Sequence, residues 1–154
     1  MGDVGDRIAR KHKGLFHAYK AKIREHIDLE MLRRVVPTGT VLRDVRMELH
    51  EDGLTFGRQI ATYPLLAGVP ADLPLGSFAD LKIVGHGYRS VTAVPYPLAV
   101  NRAPLRLLEA LPTVGRSRAA AILRGRPYAG PDAFVAALDD PAVARGLLPF
   151  LEFS

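Results

Sequence analysis

LLEALPTVGRSRAAAILRGRPY, residues 107–128, is the stretch on which the reading of this chain turns. Leu105, Leu108 and Leu111 share one helical face, and Pro112-Thr113-Val114-Gly115 interrupts it. Residues 117–124 are alanine-rich and helical, and Gly125, with Pro127 two residues on, ends them. The spacing therefore predicts two helices joined by a tight turn, the first closing at Leu111 and the second opening near Arg116. Glycine serves where a backbone takes a positive φ or must come close to a ligand, and Gly115 stands at that point. The turn then presents unpaired amides of the second helix around Gly115, Arg116, Ser117 and Arg118. Free N–H groups at the positive end of a helix dipole make an anion site suited to phosphate. Val114 to Arg118 would line it, with Arg124 and Arg126 adding charge. Such contacts fix a position on a nucleic-acid backbone and carry little sequence information. The other reading is an αα-hairpin used only for packing or for docking a protein.

The remainder of the composition points the same way. Of 154 residues, 21 are Lys or Arg and 16 are Asp or Glu, a net charge of +5 that favours a polyanionic partner. The length allows one domain or two small ones. No cysteine occurs, which excludes disulfides, thiolate zinc sites, iron–sulfur clusters and cysteine nucleophiles within this chain. The start, MGDVGDRIARKHKG, has no apolar signal core, and no apolar run approaches the roughly 20 residues of a membrane span. The expectation is a cytoplasmic protein with no membrane partner.

Outward from the hairpin, the pattern divides into three parts. Residues 6–36 form a basic amphipathic helical segment: Ile8, Leu15, Tyr19, Ile23 and Ile27 trace one face, and no acid interrupts Arg7 to Arg24. Asp28 is placed to cap a second short helix from Met31 to Val35, which Pro37 and Gly39 stop. Residues 37–98 carry short β-prone runs: Thr40-Val41-Leu42, residues 45–49, Leu54-Thr55-Phe56, residues 81–84 and residues 89–94. Glu51-Asp52-Gly53 reads as a hairpin turn, and the Pro- and Gly-punctuated middle stretch as loop with one further strand at most. Four or five short strands in about sixty residues suggest a small antiparallel barrel. Residues 99–154 return to helix. The fold class expected is α+β: a basic helix, a small antiparallel β-barrel and a C-terminal helical hairpin domain.

Two parts of the chain resemble known families. Asn101-Arg102-Ala103, Leu107-Leu108-Glu109-Ala110-Leu111-Pro112, Gly115, Ala119, Ile122 and Arg126-Pro127-Tyr128 look like the helix-hairpin-helix of DNA-uptake and repair proteins. That motif reads leucine, proline, glycine, apolar, glycine; here Thr113 replaces the first glycine. Residues 54–59, Tyr63, Leu75-Gly76, residues 81–84 and 89–93 resemble a TRAM domain, a small RNA-binding barrel of the OB type found on tRNA-modifying enzymes, with Gly57-Arg58 the most telling pair. The combination is similar to the C-terminal region of archaeal-type radical S-adenosylmethionine proteins. The resemblance implies that an iron–sulfur cluster and S-adenosylmethionine would belong to a catalytic domain preceding this part, and that this chain itself holds no cofactor.

Arg58, Tyr63, His86, Tyr88 and Arg89 are the barrel's candidate RNA contacts, since aromatics stack on bases and arginine pairs with phosphate. Tyr63 and Tyr88 read equally well as core aromatics. The five histidines, His12, His17, His26, His50 and His86, include no pair at helical metal-site spacing. Asp44 with His50 or His86 is a conceivable acid–base pair, with no nucleophile to complete it. The leading expectation is a non-catalytic accessory region that binds RNA of tRNA type, or DNA, by its backbone. The alternative is a docking module for another protein or for its own catalytic domain.

Overall fold

A computed structural model describes residues 29–60, 65–87 and 90–154. The basic helix expected over residues 6–36 lies largely outside them; its described end, residues 29–35, is helical and packs Leu32 inward. The chain then enters strand β1 (Val41–Glu51). The two runs read from sequence as separate strands are one, bent in the middle. Its register against a later strand shifts between Leu42 and Val45, and Asp44 there has φ +52°. The carboxylate of Asp80 holds this bulge, accepting the Asp44 amide at 3.0 Å and Arg43 Nη1 at 2.7 Å. Those two donors keep the Asp80 carboxyl below its ordinary pKa.

The expected turn follows, with Asp52 and Gly53 both at positive φ, as a tight hairpin needs. It leads to β2 (Leu54–Arg58), β3 (Leu66–Val69), β4 (Phe78–His86) and β5 (Ser90–Pro95). The five close into a barrel in the order β1-β2-β3-β5-β4. Here the expectation of an antiparallel barrel needs correction: β3 and β5 run parallel, with Leu66 opposite Ser90 and Gly68 opposite Thr92. The reason is parity. Strands that alternate in direction around a closed ring must be even in number to be antiparallel throughout; with five, one seam must be parallel. Gly57 allows β2 to cross β1 closely, since a Cβ there would lie 2.6 Å from the Arg46 carbonyl oxygen.

Beyond the barrel, β6 (Leu98–Ala99) precedes helices α1 (Leu105–Ala110), α2 (Gly115–Arg124), α3 (Pro131–Ala137) and α4 (Pro141–Leu147). Asp140 caps α4, accepting the amides of Ala142 and Val143, as its place before Pro141 suggests. A 3-10 turn, Leu148–Phe150, then delivers β7 (Leu151–Glu152), which pairs parallel with β6 and returns the chain end to the barrel's exit. The core is one cluster running from Val45, Met47, Leu81 and Val91 inside the barrel through Val100 and Leu108 to Ile122, Phe134 and Leu147 among the helices. Phe134 packs edge-on against Tyr128 and Phe153, with ring centroids 5.2 and 5.8 Å away. The barrel and the helical part therefore share the apolar burial that stabilises both.

One polar contact crosses this shared core. Lys82 on β4 is 8% exposed, and its ammonium donates to the Pro149 carbonyl at 2.7 Å while lying 4.8 Å from the ring centres of both Tyr96 and Phe150. Desolvation lowers its pKa below the ordinary 10.5. Lys82→Ala should lower the unfolding free energy by about 2 kcal/mol in urea titrations, from the lost charged hydrogen bond and cation–π contacts. Because the unfolded state binds this proton more tightly, the wild-type advantage should grow as pH rises toward 10.5. A difference that stays flat through the alkaline range would show that burial does not penalise the charge.

Candidate nucleic-acid interface

The hairpin between α1 and α2 is built on two left-handed residues. Thr113 and Gly115 both have φ +64°. A Cβ on Gly115 would meet nothing within 4 Å, so it is the backbone conformation, not crowding, that requires glycine there. Thr113 stands where the resembled motif has glycine, and a β-branched residue in this region is strained. Two contacts hold it: its hydroxyl donates to the Pro112 carbonyl at 2.6 Å, and its own carbonyl accepts Arg118 Nη1 at 2.7 Å. Between the two, Val114 is buried and its amide donates to Leu111. Val114, one of the expected contact residues, is thus a plug under the turn, its side chain buried in the core.

Helix α2 opens at Gly115 with no side-chain cap and no acidic residue in its first turn. The amides of Gly115, Arg116 and Ser117 meet no acceptor among the described residues. Ser117 and Arg124 are exposed, and the side chain of Arg116 is 90% exposed, reaching only to within 4.0 Å of Glu109. Arg116, Ser117 and the free amides form the outward surface of the turn, and Arg124 is exposed at the other end of the helix. A groove of about 320 Å³ runs beside it, lined by Ser117, Arg118, Ala121, Arg124, Leu138 and Asp139.

Two of the expected arginines have internal work. Arg118 is bound to Thr113 and its Nε lies 3.5 Å from an Asp139 oxygen, without hydrogen-bond geometry. Arg126 donates to the Ala103 carbonyl, and burial lowers its pKa from the ordinary guanidinium value while raising that of the neighbouring Tyr128 phenol. Beside it, Asn101 pairs with the Tyr128 backbone in both directions, at 2.7 and 3.0 Å, and the Tyr128 hydroxyl donates to Ile122 at 2.7 Å. The residues flanking the hairpin, Asn101 to Ala103 and Arg126 to Tyr128, are therefore a clasp that closes its open end. Spacing alone does not reveal such a clasp, because the two halves lie about 25 residues apart.

On the barrel, Arg58 directs Nε and Nη2 to one oxygen of Glu48 at 2.9 and 2.8 Å across the β1–β2 pair, and stays half-exposed. His86 is partly buried, with Nε2 2.6 Å from the Val36 carbonyl just beyond the 29–35 helix. Tyr63, Tyr88 and Arg89 lie outside the described residues. The acid–base pair imagined for Asp44 is not assembled: His50 is 2.7 Å from the Leu73 carbonyl and 3.2 Å from Asp72, and His86 is engaged with Val36. Among the described residues no group of three His, Cys, Asp or Glu could hold a metal ion, and no helix is long and apolar enough to cross a membrane.

The chain is similar to two archaeal proteins described as uncharacterized. It is 42% identical to one from Archaeoglobus fulgidus over 111 residues, covering 72% of this chain and 21% of that protein. It is 51% identical to one from Methanocaldococcus jannaschii over 86 residues, covering 54% of this chain and 16% of that protein. The chain thus spans about a fifth of the length of the curated relatives it matches. No protein-family model and no solved structure matches it.

Thr113→Gly should relieve the left-handed strain and raise stability by about 1 kcal/mol, the lower end of the strain range for such a residue. Thermal denaturation would register this as a higher midpoint. A lower midpoint would mean that the threonine hydroxyl contributes more than the strain costs.

Proposed function

We propose that this chain binds nucleic acid, RNA foremost, by its sugar–phosphate backbone, and that the hairpin turn at Gly115 makes the principal contact. The observation that carries this reading is the start of α2: uncapped, free of acids, opening on a positive-φ glycine and followed by the exposed Arg116, with Arg124 exposed at the far end of the same helix. The free amides and the helix dipole favour an anion at that end, and the arginines supply the charge that a phosphate there would neutralise. We read the pair α1–α2 as a helix-hairpin-helix in which Arg118, through the Thr113 carbonyl, takes over the job of shaping the turn. We read the barrel as OB/TRAM-like on the strength of its five-strand closure. The net charge of +5 supports a polyanionic partner.

In this reading the chain itself is non-catalytic. It serves as the substrate-holding part of a longer protein of radical S-adenosylmethionine type, which would supply the iron–sulfur chemistry from outside this chain. The matched regions cover 21% and 16% of the two relatives, whose remaining length leaves room for such a domain.

The test is a salt titration with tRNA and with duplex DNA. Log Kd should rise linearly with log salt, with a slope of about 0.7 to 0.9 per phosphate contacted. The double variant Arg116→Glu, Arg124→Glu should weaken binding to both ligands at least tenfold and flatten that slope, with the melting temperature unchanged, because neither side chain packs inward. Absence of binding to either ligand at low salt would overturn the proposal, and an unaltered slope in the double variant would move the contact away from the turn.

A further inference from the structure

The register of the barrel sets three outward side chains in one row. Phe78 on β4 is paired with Arg46 on β1, and Arg46 with Arg58 on β2. Directly paired residues on neighbouring strands project to the same face with Cβ atoms about 5 Å apart. All three are exposed, and Phe78 shows 57% of its surface. The next pair along the same two strands, Val45 and Ala79, faces the other way, and Val45 is wholly buried. The barrel interior is therefore filled without Phe78, whose ring faces solvent. Arg46 lies within ion-pair distance of no carboxylate among the described residues, and Arg58 shares its charge with Glu48. The row is an aromatic face beside two guanidinium groups and one carboxylate.

We infer that Phe78, Arg46 and Arg58 form a platform on which a base of a single-stranded RNA segment stacks, while the arginines hold the adjoining phosphates. The inference rests on the RNA-binding reading above and adds to it a second contact, on a different element and for a different feature of the ligand. An exposed aromatic ring stacks on any base, and neighbouring arginines supply backbone attraction and cation–π contact. A purely apolar protein partner would leave Arg46 without a countercharge, whereas a phosphodiester supplies one.

The experiment compares a labelled oligouridine of about 12 nucleotides, within the usual span for one small barrel, with the same strand carrying abasic sites. Both are titrated at low salt against the full chain. Wild type should bind the base-bearing strand about tenfold more tightly than the abasic one. Phe78→Ala should erase that difference without lowering the melting temperature, Phe78→Trp should restore it, and Arg46→Ala should reduce the salt slope by about one phosphate. A folded Phe78→Ala protein that keeps the full preference for bases overturns the platform, leaving a protein as the occupant of this face. Wild type that binds tRNA but treats both strands alike overturns the platform and leaves the hairpin reading intact. Wild type that binds no nucleic acid overturns both.

Discussion

Five strands that alternate in direction cannot close a ring without one parallel seam, and much of this molecule follows from where that seam falls. Placing it between β3 and β5 leaves β1 and β4 as an antiparallel pair on the far side of the ring. It also fixes the direction of β5, and so the end of the barrel from which the chain leaves. β6 follows β5 with only Tyr96 and Pro97 between them. When β7 pairs with β6, the last residues of the chain are tied to that same exit. The helices lie between these two ends and are held to the barrel at both.

The result is a helical hairpin mounted on a barrel through one continuous core. Lys82 is the polar element of that junction, a cation whose stem runs through apolar surroundings and whose head finds a carbonyl and two aromatic faces. A buried charge is tolerated only when its partners are placed accurately, so the contact also specifies how the 3-10 turn sits on β4. The turn at Thr113–Gly115 depends on this indirectly. Its plug, Val114, needs the core beneath it, and its clamp, Arg118, needs Asp139 and the α3–α4 connection nearby.

This arrangement separates two kinds of arginine that look alike in the chain. Arg118 and Arg126 bond backbone carbonyls and shape the hairpin; Arg116 and Arg124 point outward. A charge count around Gly115 treats all four as one surface, although two of them are bonded to backbone carbonyls within the fold. On the barrel, Arg58 shares its charge with Glu48 and stays half-exposed, while Arg46, which no motif singles out, is exposed. Side chains satisfied inside the fold contribute to its stability.

Local chemistry determined a good deal by itself. The periodic leucines, the breaks at Pro112 and Gly125, the Asp52-Gly53 turn and the Asp140 cap each act within a few residues, so they are legible in the sequence. So is the requirement for glycine at position 115, because a positive φ is a property of a single residue. Tertiary structure decided what depends on partners far along the chain. It joined two short strands into β1 through a bulge held by Asp80, made one barrel seam parallel, buried Val114 and Lys82, and clasped Asn101 to Tyr128. It also chose which arginines remain outside. Which groups meet across tens of residues is set by closure of the barrel and packing of the shared core, and neither is written in any local run of residues.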